Sequence, residues 1–240
     1  MIISYCIPVH NRTYDLRETL PGIIKAANNS PPVEIVILDY NSRDDLADYL
    51  YREIAGVQSF IGAIPTSWNL GTALTYRKYE GRDHYHMAHA RNLAMLASSG
   101  EFIISSNADL LVDENYFKVV RDALEAEDLT WIRHHRRQIG IVGVKRDEFI
   151  DAGGFDERFE YYGKEDRDID ARLERRGGAF VVLPEFLLKF IPTPKKEKFK
   201  NYRGNLSGYQ MGKYSKKIWQ ENIDNEVLVA NKGVEWGKWD

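Results

Sequence analysis

An acidic pair, Glu165 and Asp166, follows a loop rich in glycine and tyrosine within the stretch GGFDERFEYYGKEDRDIDARLERRGG, residues 153–178. A carboxylate next to a pocket of sugar size can act as a general base that takes a proton from a hydroxyl group. A structural role is the alternative, because the helix dipole favours acids in the first turn of a helix. Asp168 and Asp170 complete a run of four acids in six positions, and Asp166 with Asp170 is an unfavourable i, i+4 pair. Capping the start of a helix needs fewer than four acids, so Glu165 and Asp166 are a candidate catalytic site.

A second acidic segment, SSNADLLVDEN at residues 105–115, follows a short apolar run. The sequence contains neither a Gly-x-Gly-x-x-Gly loop nor a Walker loop, so bound phosphates need another source of positive charge. Mn²⁺ or Mg²⁺ can provide it, because hard cations often use only one or two protein carboxylates besides diphosphate oxygens. Asp109 is the first candidate ligand and Asp113 a weaker one. Arg91 and Asn92 could add donors to a phosphate or a ribose.

Polar residues follow three apolar runs that are predicted to be strands, at residues 8–12, 39–42 and 106–109. Ligands of open α/β sheets bind at the carboxyl ends of parallel strands. Each polar group alone is equally typical of an ordinary turn, because Asn, Asp and Ser form local hydrogen bonds in turns. The three groups together favour one shared crevice.

Two groups of histidines need an interpretation. His84, His86 and His89 could form a metal site, which requires convergent geometry and supporting hydrogen bonds. They could also mark the start of a helix, because His86 and His89 are spaced i, i+3. His134 and His135 are predicted to lie in an exposed basic turn.

The bulk properties restrict the class of protein. A chain of 240 residues suits one sizeable α/β domain. A net charge of −3 and a pI of about 6.1 predict no nucleic-acid partner. The single Cys6 lies in an apolar run, which predicts a core thiol and excludes an intramolecular disulfide. No signal peptide and no apolar run of about 18 residues is found, so we expect a soluble, cytoplasmic protein without a membrane span.

The alternation of strand and helix patterns predicts an α/β fold. The spacing of a strand at residues 1–9, a helix at 14–28 capped by Thr13, and a strand at 34–39 implies a parallel crossover. Further helices are predicted at residues 44–54, 88–97, 115–127, 146–152 and 165–176, and further strands at 58–61, 101–105 and 180–183. Residues 62–83 read as a long polar and aromatic loop, which is more often functional than idle in a compact domain.

The composition changes near residue 191, which divides the chain into a main domain at residues 1–190 and a C-terminal part at 191–240. The segment KKEKFKNYRGNLSGYQMGKYSKK is basic and rich in glycine and tyrosine. It predicts a mobile loop, either a lid that meets anionic phosphates or a solvated surface segment. Trp219, Trp236 and Trp239 then predict a docked tail.

Five motifs in order carry a resemblance to a known family: CIPVHNR, ILDYNSRDD, NLG, HARNLAMLASSGEFIISSNADLLV and GGFDERFEYYGKEDRDIDARL. Their order resembles the GT-A glycosyltransferases of the family two type, and most closely the chondroitin-polymerase and β-galactosyltransferase-like branch. The resemblance covers residues 1 to about 185. It implies a GT-A fold, which is a Rossmann-like, mixed but mainly parallel sheet flanked by helices, in a single domain with a C-terminal lid or tail.

The resemblance also implies substrates and site residues. The donor is a nucleotide-sugar, usually a UDP-sugar, and the acceptor is a saccharide or another hydroxyl compound. Asp109 is implied to ligate Mn²⁺ or Mg²⁺, and Glu165 and Asp166 to bind the acceptor, with Asp166 as the base in inverting relatives. The implied donor contacts are Pro8, Val9, His10, Arg12, Asp39 and Asn41 for base and ribose, Arg91 for ribose or diphosphate, and Asn107 and Ala108 of the Asp-x-Asp motif.

Two departures from the family pattern keep alternatives open. Asn107 replaces the usual first aspartate, and no histidine follows His135, although the galactosyltransferase branch has a histidine ligand there. The alternatives are a retaining transferase of the same fold and a degenerate, non-catalytic nucleotide- or carbohydrate-binding module. A sugar nucleotidyltransferase is a third, but the chain lacks its Gly-rich, Arg-bearing start. Tyr161, Tyr162 and Trp68 could stack on an acceptor sugar or simply pack.

Overall fold

The apolar run at the start of the chain forms the central strand of a sheet. In this computed structural model, which describes residues 1–54, 67–69, 74–134 and 140–239, strand β1 (Ile3–Val9) is buried along its whole length. Helix α1 (Thr13–Asn28) connects it to β2 (Val33–Tyr40), which pairs with β1 in parallel. The predicted crossover is therefore confirmed. Such strands are buried on both faces, which is why they read as continuous apolar runs.

The other elements alternate along the chain. The further strands are β3 (Ser67–Asn69), β4 (Leu74–Tyr79), β5 (Phe102–Ser105), β6 (Leu110–Val112), β7 (Trp131–His134), β8 (Val142–Lys145), β9 (Phe180–Leu183) and β10 (Leu188–Phe190). The further helices are α2 (Leu46–Tyr49), which continues as a π-helical turn (Leu50–Ile54), α3 (Met87–Leu96), α4 (Tyr116–Ala126), α5 (Arg146–Asp151), α6 (Glu165–Arg175), α7 (Lys195–Phe199) and α8 (Gly208–Asp224).

The described strands form one large sheet in the order β3-β4-β2-β1-β5-β8-β7-β9, beside a small antiparallel pair of β6 and β10. Strands β4, β2, β1 and β5 run parallel at its centre. Strands β3 and β8 are antiparallel to their neighbours β4 and β5. The predicted α/β class, with a mixed and mainly parallel sheet flanked by helices, is confirmed.

Two apolar cores fill the two faces of this sheet. Side chains alternate between the faces of a strand, so Tyr5 and Ile7 pack in the core that includes α1 and α4. Cys6 points the other way, into the core that includes residues of α3, α5 and α6. The thiol is fully buried, which confirms the predicted core role.

Helix α1 begins differently from the prediction. Thr13 is the first helical residue rather than its cap, and Arg12, which precedes it, makes no capping hydrogen bond through its side chain. The carboxylate of Asp44 accepts a hydrogen bond from the Thr13 N–H at 2.9 Å instead. A residue of a distant loop thus satisfies one of the free N–H groups at the helix start.

Two predictions of loops before residue 190 are wrong where the structure describes the chain. Within residues 62–83, positions 67–69 and 74–79 form strands β3 and β4. In β4, Leu74 and Tyr76 are buried and Thr75 between them is only part-buried, so the sequence signal for this strand is the alternation of these side chains. His134 is not in an exposed turn, because it is buried on β7 and its Nε2 bonds with the Tyr116 hydroxyl at 2.8 Å. The predicted strand at 58–61 and His135 lie outside the described residues.

The C-terminal part is helical where a loop was predicted, and its tail is docked. Ser207 and Gln210 form a reciprocal capping box that starts α8. Trp236 packs edge-on against Phe149 at 5.9 Å between ring centroids. Trp239 packs against Tyr79 at 6.2 Å. None of the helices described is long and apolar enough to cross a membrane.

The docking of the tail depends on a glycine. Gly153 has a φ of +75°, and an alanine Cβ there would lie 2.1 Å from the carbonyl oxygen of Ala230. We predict that Gly153→Ala destabilises the protein by about 1–3 kcal/mol or more, because the strained backbone alone costs that much. Urea unfolding measures the effect. Gly22→Ala is the matched control: it lies within α1 with nothing within 4 Å of the added carbon, and should be neutral or slightly stabilising. Equal midpoints for both variants would contradict the prediction.

Candidate active site

A cleft of about 560 Å³ lies where the parallel strands end. The volume is in the range of ligand pockets, about 300–1,000 Å³. The two acidic segments meet here, because Asp109, after β5, and Glu165 and Asp166, at the start of α6, line the same cleft. The other predicted site residues that line it are Pro8, His10, Arg12, Arg91, Asn107 and Ala108.

Three predicted donor contacts lie outside the lining of this cleft. Val9 is buried in the core on one face of the sheet. The Asp39 carboxylate accepts hydrogen bonds from the Ser42 N–H at 2.7 Å and from the Tyr76 hydroxyl at 2.8 Å. Asn41 has a φ of +52° and donates to a backbone carbonyl of the neighbouring loop. Both polar side chains therefore stabilise the turn after β2.

Arg91 is a buried cation beneath the cleft. Its side chain is 1% exposed, although it also reaches the lining. It donates hydrogen bonds to the Ser105 hydroxyl at 2.6 Å, to the Gly140 carbonyl, and to Oδ1 of Asn107 at 2.9 Å. Its Nη2 lies 3.9 Å from Oε1 of Glu165. Arg91 thus connects the end of β5 with the start of α6.

Glu165 is buried with an incomplete set of partners. It is 3% exposed, and its Oε2 has no hydrogen-bond partner among the residues that the structure describes. Burial raises the pKa of Glu165 to about 7, the charge of Asp166 adds to this rise, and Arg91 opposes it. From the sequence alone, the direction of this pKa shift is open, because neighbouring acids raise the pKa of a carboxyl group and the helix terminus lowers it. Desolvation decides it, because it disfavours the ionised carboxylate most strongly.

Asp166 shares this environment. Burial also raises the pKa of Asp166, while Arg91 is the main group that lowers it. One turn further, Asp170 forms an ion pair with Arg133 at 3.0 Å, and burial raises its pKa to about 6. Carboxyl groups with raised pKa values in a cleft are typical of general bases that work near neutral pH.

The turn before α6 holds these acids in place. Gly163 has a φ of +102° and Lys164 a φ of +78°, so two consecutive residues adopt the left-handed region just before the helix begins. The Lys164 ammonium lies 4.7 Å from the centroid of the Trp219 ring on α8. The hydroxyl of Ser215 donates to the Tyr162 carbonyl at 3.3 Å, which fixes α8 against the same loop.

Asp109 is flanked by two cations. Its Oδ2 accepts a hydrogen bond from Arg12 at 3.3 Å and lies 3.9 Å from the Lys198 ammonium. A hard cation needs only one or two protein carboxylates when diphosphate oxygens complete its shell. Asp109 offers one carboxylate that lines the cleft, so the residues fit a metal held jointly with a diphosphate. Asp113 does not line the cleft, and its carboxylate accepts from the backbone of Asn115.

The sequence did not predict that the C-terminal part supplies a wall of the cleft. Thr193 accepts a hydrogen bond from Arg12 at 3.0 Å, and Asn201 donates to the His10 carbonyl at 3.2 Å. Tyr202 packs against Tyr85, which in turn stacks on the His10 ring at 5.9 Å. In the sequence, the only sign of this role is the basic and aromatic composition of the segment. That composition is equally typical of a lid and of a solvated surface segment.

The histidine group has a structural role. The ring of His86 caps α3 by accepting a hydrogen bond from the His89 N–H. His89 bonds with the Tyr40 hydroxyl at 2.8 Å and with the Lys238 carbonyl at 3.1 Å. No group of three or more His, Cys, Asp or Glu that could hold a metal is found in the described ranges. The helix-start interpretation of His86 and His89 therefore accounts for them.

Comparisons with known proteins agree with this arrangement. The sequence model of Glycosyl transferase family 2 matches residues 4–185, which is more than half of the chain. No curated protein sequence matches the chain.

Solved structures share the fold at low sequence identity. The mannosyltransferase PcManGT from Pyrobaculum calidifontis, in complex with GDP-Man and Mn²⁺, is 17% identical with a TM-score of 0.63, over 80% of this chain and 57% of its own. S. aureus TarS 1-349 with UDP is 11% identical with a TM-score of 0.64, over 93% and 72%. The catalytic domain of Drosophila β1,4-galactosyltransferase 7 with xylobiose is 13% identical with a TM-score of 0.57, over 91% and 79%. The chain thus spans little more than half the length of the mannosyltransferase.

The raised pKa of Glu165 has a consequence for stability. Between its ordinary pKa of 4.5 and its folded value of about 7, the folded protein holds a proton that the unfolded chain releases, so stability falls as pH rises through this window. We predict that Glu165→Gln unfolds at a higher temperature than the wild type at pH 8, by roughly 2–4 °C for each kcal/mol gained. The two should unfold alike at pH 4.5.

Scanning calorimetry at both pH values measures the difference. The exposed Glu127 provides a matched control, Glu127→Gln, which should leave the midpoint unchanged at either pH. A Glu165→Gln variant less stable than the wild type at pH 8 would show that the Arg91 interaction outweighs desolvation.

Proposed function

The chain belongs to glycosyltransferase family 2, and we therefore propose that it transfers one sugar from a nucleotide-diphosphate donor, a UDP-sugar, to a hydroxyl acceptor with inversion. One observation carries the proposal: the Asp109 segment and the Glu165-Asp166 pair, 56 positions apart in the sequence, line one cleft. The order of the sequence motifs further supports the chondroitin-polymerase and β-galactosyltransferase-like branch.

The donor diphosphate binds on the Asp109 side of the cleft. Arg12 and Lys198 place two positive charges there, and a departing diphosphate develops negative charge that cations stabilise. A bound Mn²⁺ or Mg²⁺, held by Asp109 and the donor, would supply further positive charge to the leaving group. The solved relatives that contain Mn²⁺ support this cofactor.

The acceptor hydroxyl binds on the α6 side of the cleft. Its oxygen attacks the anomeric carbon of the donor sugar, the bond from that carbon to the diphosphate oxygen breaks, and the diphosphate leaves with the electron pair. Asp166 takes the proton of the hydroxyl as the new bond forms. Glu165, buried against Arg91, orients the start of α6 and the acceptor. A single displacement of this kind inverts the anomeric centre, whereas a retaining transfer would yield the other product anomer.

A non-catalytic nucleotide-binding module is the second candidate function. The observation that favours it is the hydrogen bond of Asn107 to Arg91 at 2.9 Å, which uses the residue at the first position of the metal motif for a structural contact. Such a module would bind a nucleotide-sugar in the same cleft and would not turn it over.

The base assignment predicts a large loss of activity from one substitution. Asp166→Asn should lower turnover by about 10²- to 10⁴-fold, because an amide cannot take the acceptor proton. Initial rates of nucleotide release with acceptor present measure the loss. Asp122→Asn, at an exposed position of α4, is the matched control and should keep the wild-type rate. Turnover above half of the wild-type value in Asp166→Asn would refute the assignment.

The metal assignment is tested on the donor side. Nucleotide release from a panel of UDP-, GDP- and dTDP-sugars should occur for one donor with Mn²⁺ or Mg²⁺ and stop with chelator. Asp109→Asn should raise the metal concentration needed for half-maximal rate by tenfold or more, a change of about 1.4 kcal/mol. Asp113→Asn should not change it. If no donor is hydrolysed and calorimetry shows UDP binding only, the non-catalytic module is favoured.

A further inference from the structure

The cations of the cleft fall into two groups that differ in their partners. On the Asp109 side, Arg12 and Lys198 both lie within 4 Å of a carboxylate oxygen. On the α6 side, Lys164 and Arg167 also line the cleft, yet neither is within ion-pairing distance of any acid among the residues described. The first group suits the donor diphosphate. The charge of Asp166 acts on both cations of the second group, but no acid among the described residues forms an ion pair with either of them.

Lys164 is held in place despite this lack of a partner. It is part-buried, its backbone is in the left-handed region at a φ of +78°, and its ammonium lies over the Trp219 ring. Burial lowers the pKa of Lys164, repulsion from Arg167 and Lys216 adds to that effect, and the charge of Asp166 opposes it. A non-glycine residue in this backbone region costs about 1–3 kcal/mol and persists only where the surroundings impose it. The ammonium therefore occupies a fixed position in the cleft wall.

The cleft also has open space beside α8. Gly212 on α8 lines the cleft, and a Cβ added there would meet nothing within 4 Å. The surrounding chain adds to the positive charge: residues 191–217 contain seven Lys and one Arg against a single Glu, whereas the whole chain has a net charge of −3. Of these eight cations, Lys198 lines the cleft itself.

We propose that Lys164 and Arg167 bind an anionic group of the acceptor, so that the acceptor is an acidic saccharide that carries a carboxylate, a sulfate or a phosphate close to the hydroxyl that reacts. This inference rests on the proposed function, because it places the acceptor beside Asp166. The two cations and the base then act on neighbouring parts of one molecule. The charge-assisted hydrogen bonds of such a contact are about twice as strong as neutral ones.

Acceptor pairs that differ only in charge test the proposal. Methyl β-glucuronide is compared with methyl β-glucoside, and galactose 6-sulfate and 6-phosphate with galactose, in the presence of UDP and Mn²⁺ for binding and of the UDP-sugar donor and Mn²⁺ for turnover. Calorimetry gives the dissociation constants and product formation gives KM. The wild type should favour the anionic member of at least one pair by tenfold or more, and the arm with the larger ratio identifies the anion.

The double variant Lys164→Asn/Arg167→Gln should reduce that ratio to near one. Asparagine is chosen at position 164 because it tolerates the left-handed backbone. Lys217→Gln is the matched control: Lys217 lies on α8 outside the cleft, 3.9 Å from Glu221, and the ratio should not change. Equal binding of charged and neutral acceptors by the wild type would overturn the proposal.

The affinity for UDP separates this inference from a role of the same cations in donor binding. If the double variant loses UDP affinity as strongly as acceptor affinity, Lys164 and Arg167 bind the diphosphate and the proposal is wrong. If the wild type binds the anionic saccharides through these residues but transfers no sugar, the anion site stands and the proposed transferase activity fails.

Discussion

The buried guanidinium of Arg91 is the interaction on which the rest of the site depends. A cation removed from water must be surrounded by acceptors, because breaking a buried pair leaves an uncompensated charge that costs about 3–5 kcal/mol. The sheet supplies the Ser105 hydroxyl and the following segment supplies Asn107, while Glu165 comes from α6. One positive charge thereby sets the distance between the strand that carries Asp109 and the helix that carries the acids.

This arrangement gives a physical reason for the asparagine at position 107. An aspartate in contact with Arg91 would compete with Glu165 for the same charge, since both lie within 4 Å of Nη2. The neutral amide accepts the hydrogen bond without competing. The positive charge of Arg91 then acts on Glu165 and Asp166, where it opposes the rise in pKa that burial causes. The neutral side chain at position 107 and the pKa values of Glu165 and Asp166 thus depend on the same positive charge.

The sequence predicts those parts of the fold that short-range patterns determine. Strand β1 and helix α1 are predicted correctly, because each buries residues that form a recognisable pattern over a short stretch of sequence. Strand β4 was missed because its sequence LTYRKY mixes charged and aromatic residues, and only alternate positions are buried. The capping of α1 by Asp44, 31 positions away, has no local signal at all.

The candidate site follows the same division. The acids of the site can be predicted from the sequence, because they cluster in two short segments. The contacts of Asp109 with Arg12 and Lys198 cannot, because they join residues 97 and 89 positions apart. The direction of the pKa shifts depends on burial depth, which only the packed structure provides. Recognition of a substrate likewise depends on contacts between residues that are far apart in the sequence.

The wall of the cleft formed after residue 190 has a consequence for how a chain of this fold can vary. Lys198, Asn201 and Tyr202 lie beyond the part of the chain that matches the family model, which ends at residue 185. Both acidic segments lie within the matched residues 4–185. The described part of the chain after residue 190 adds no strand to the large sheet and is joined to the rest by side-chain contacts and by backbone hydrogen bonds, such as those from the Tyr85 N–H to the Asn201 carbonyl and from the Ala230 N–H to the Ala152 carbonyl. A substitution in this wall can therefore change the shape of the cleft while the strands and the two acidic segments stay as they are.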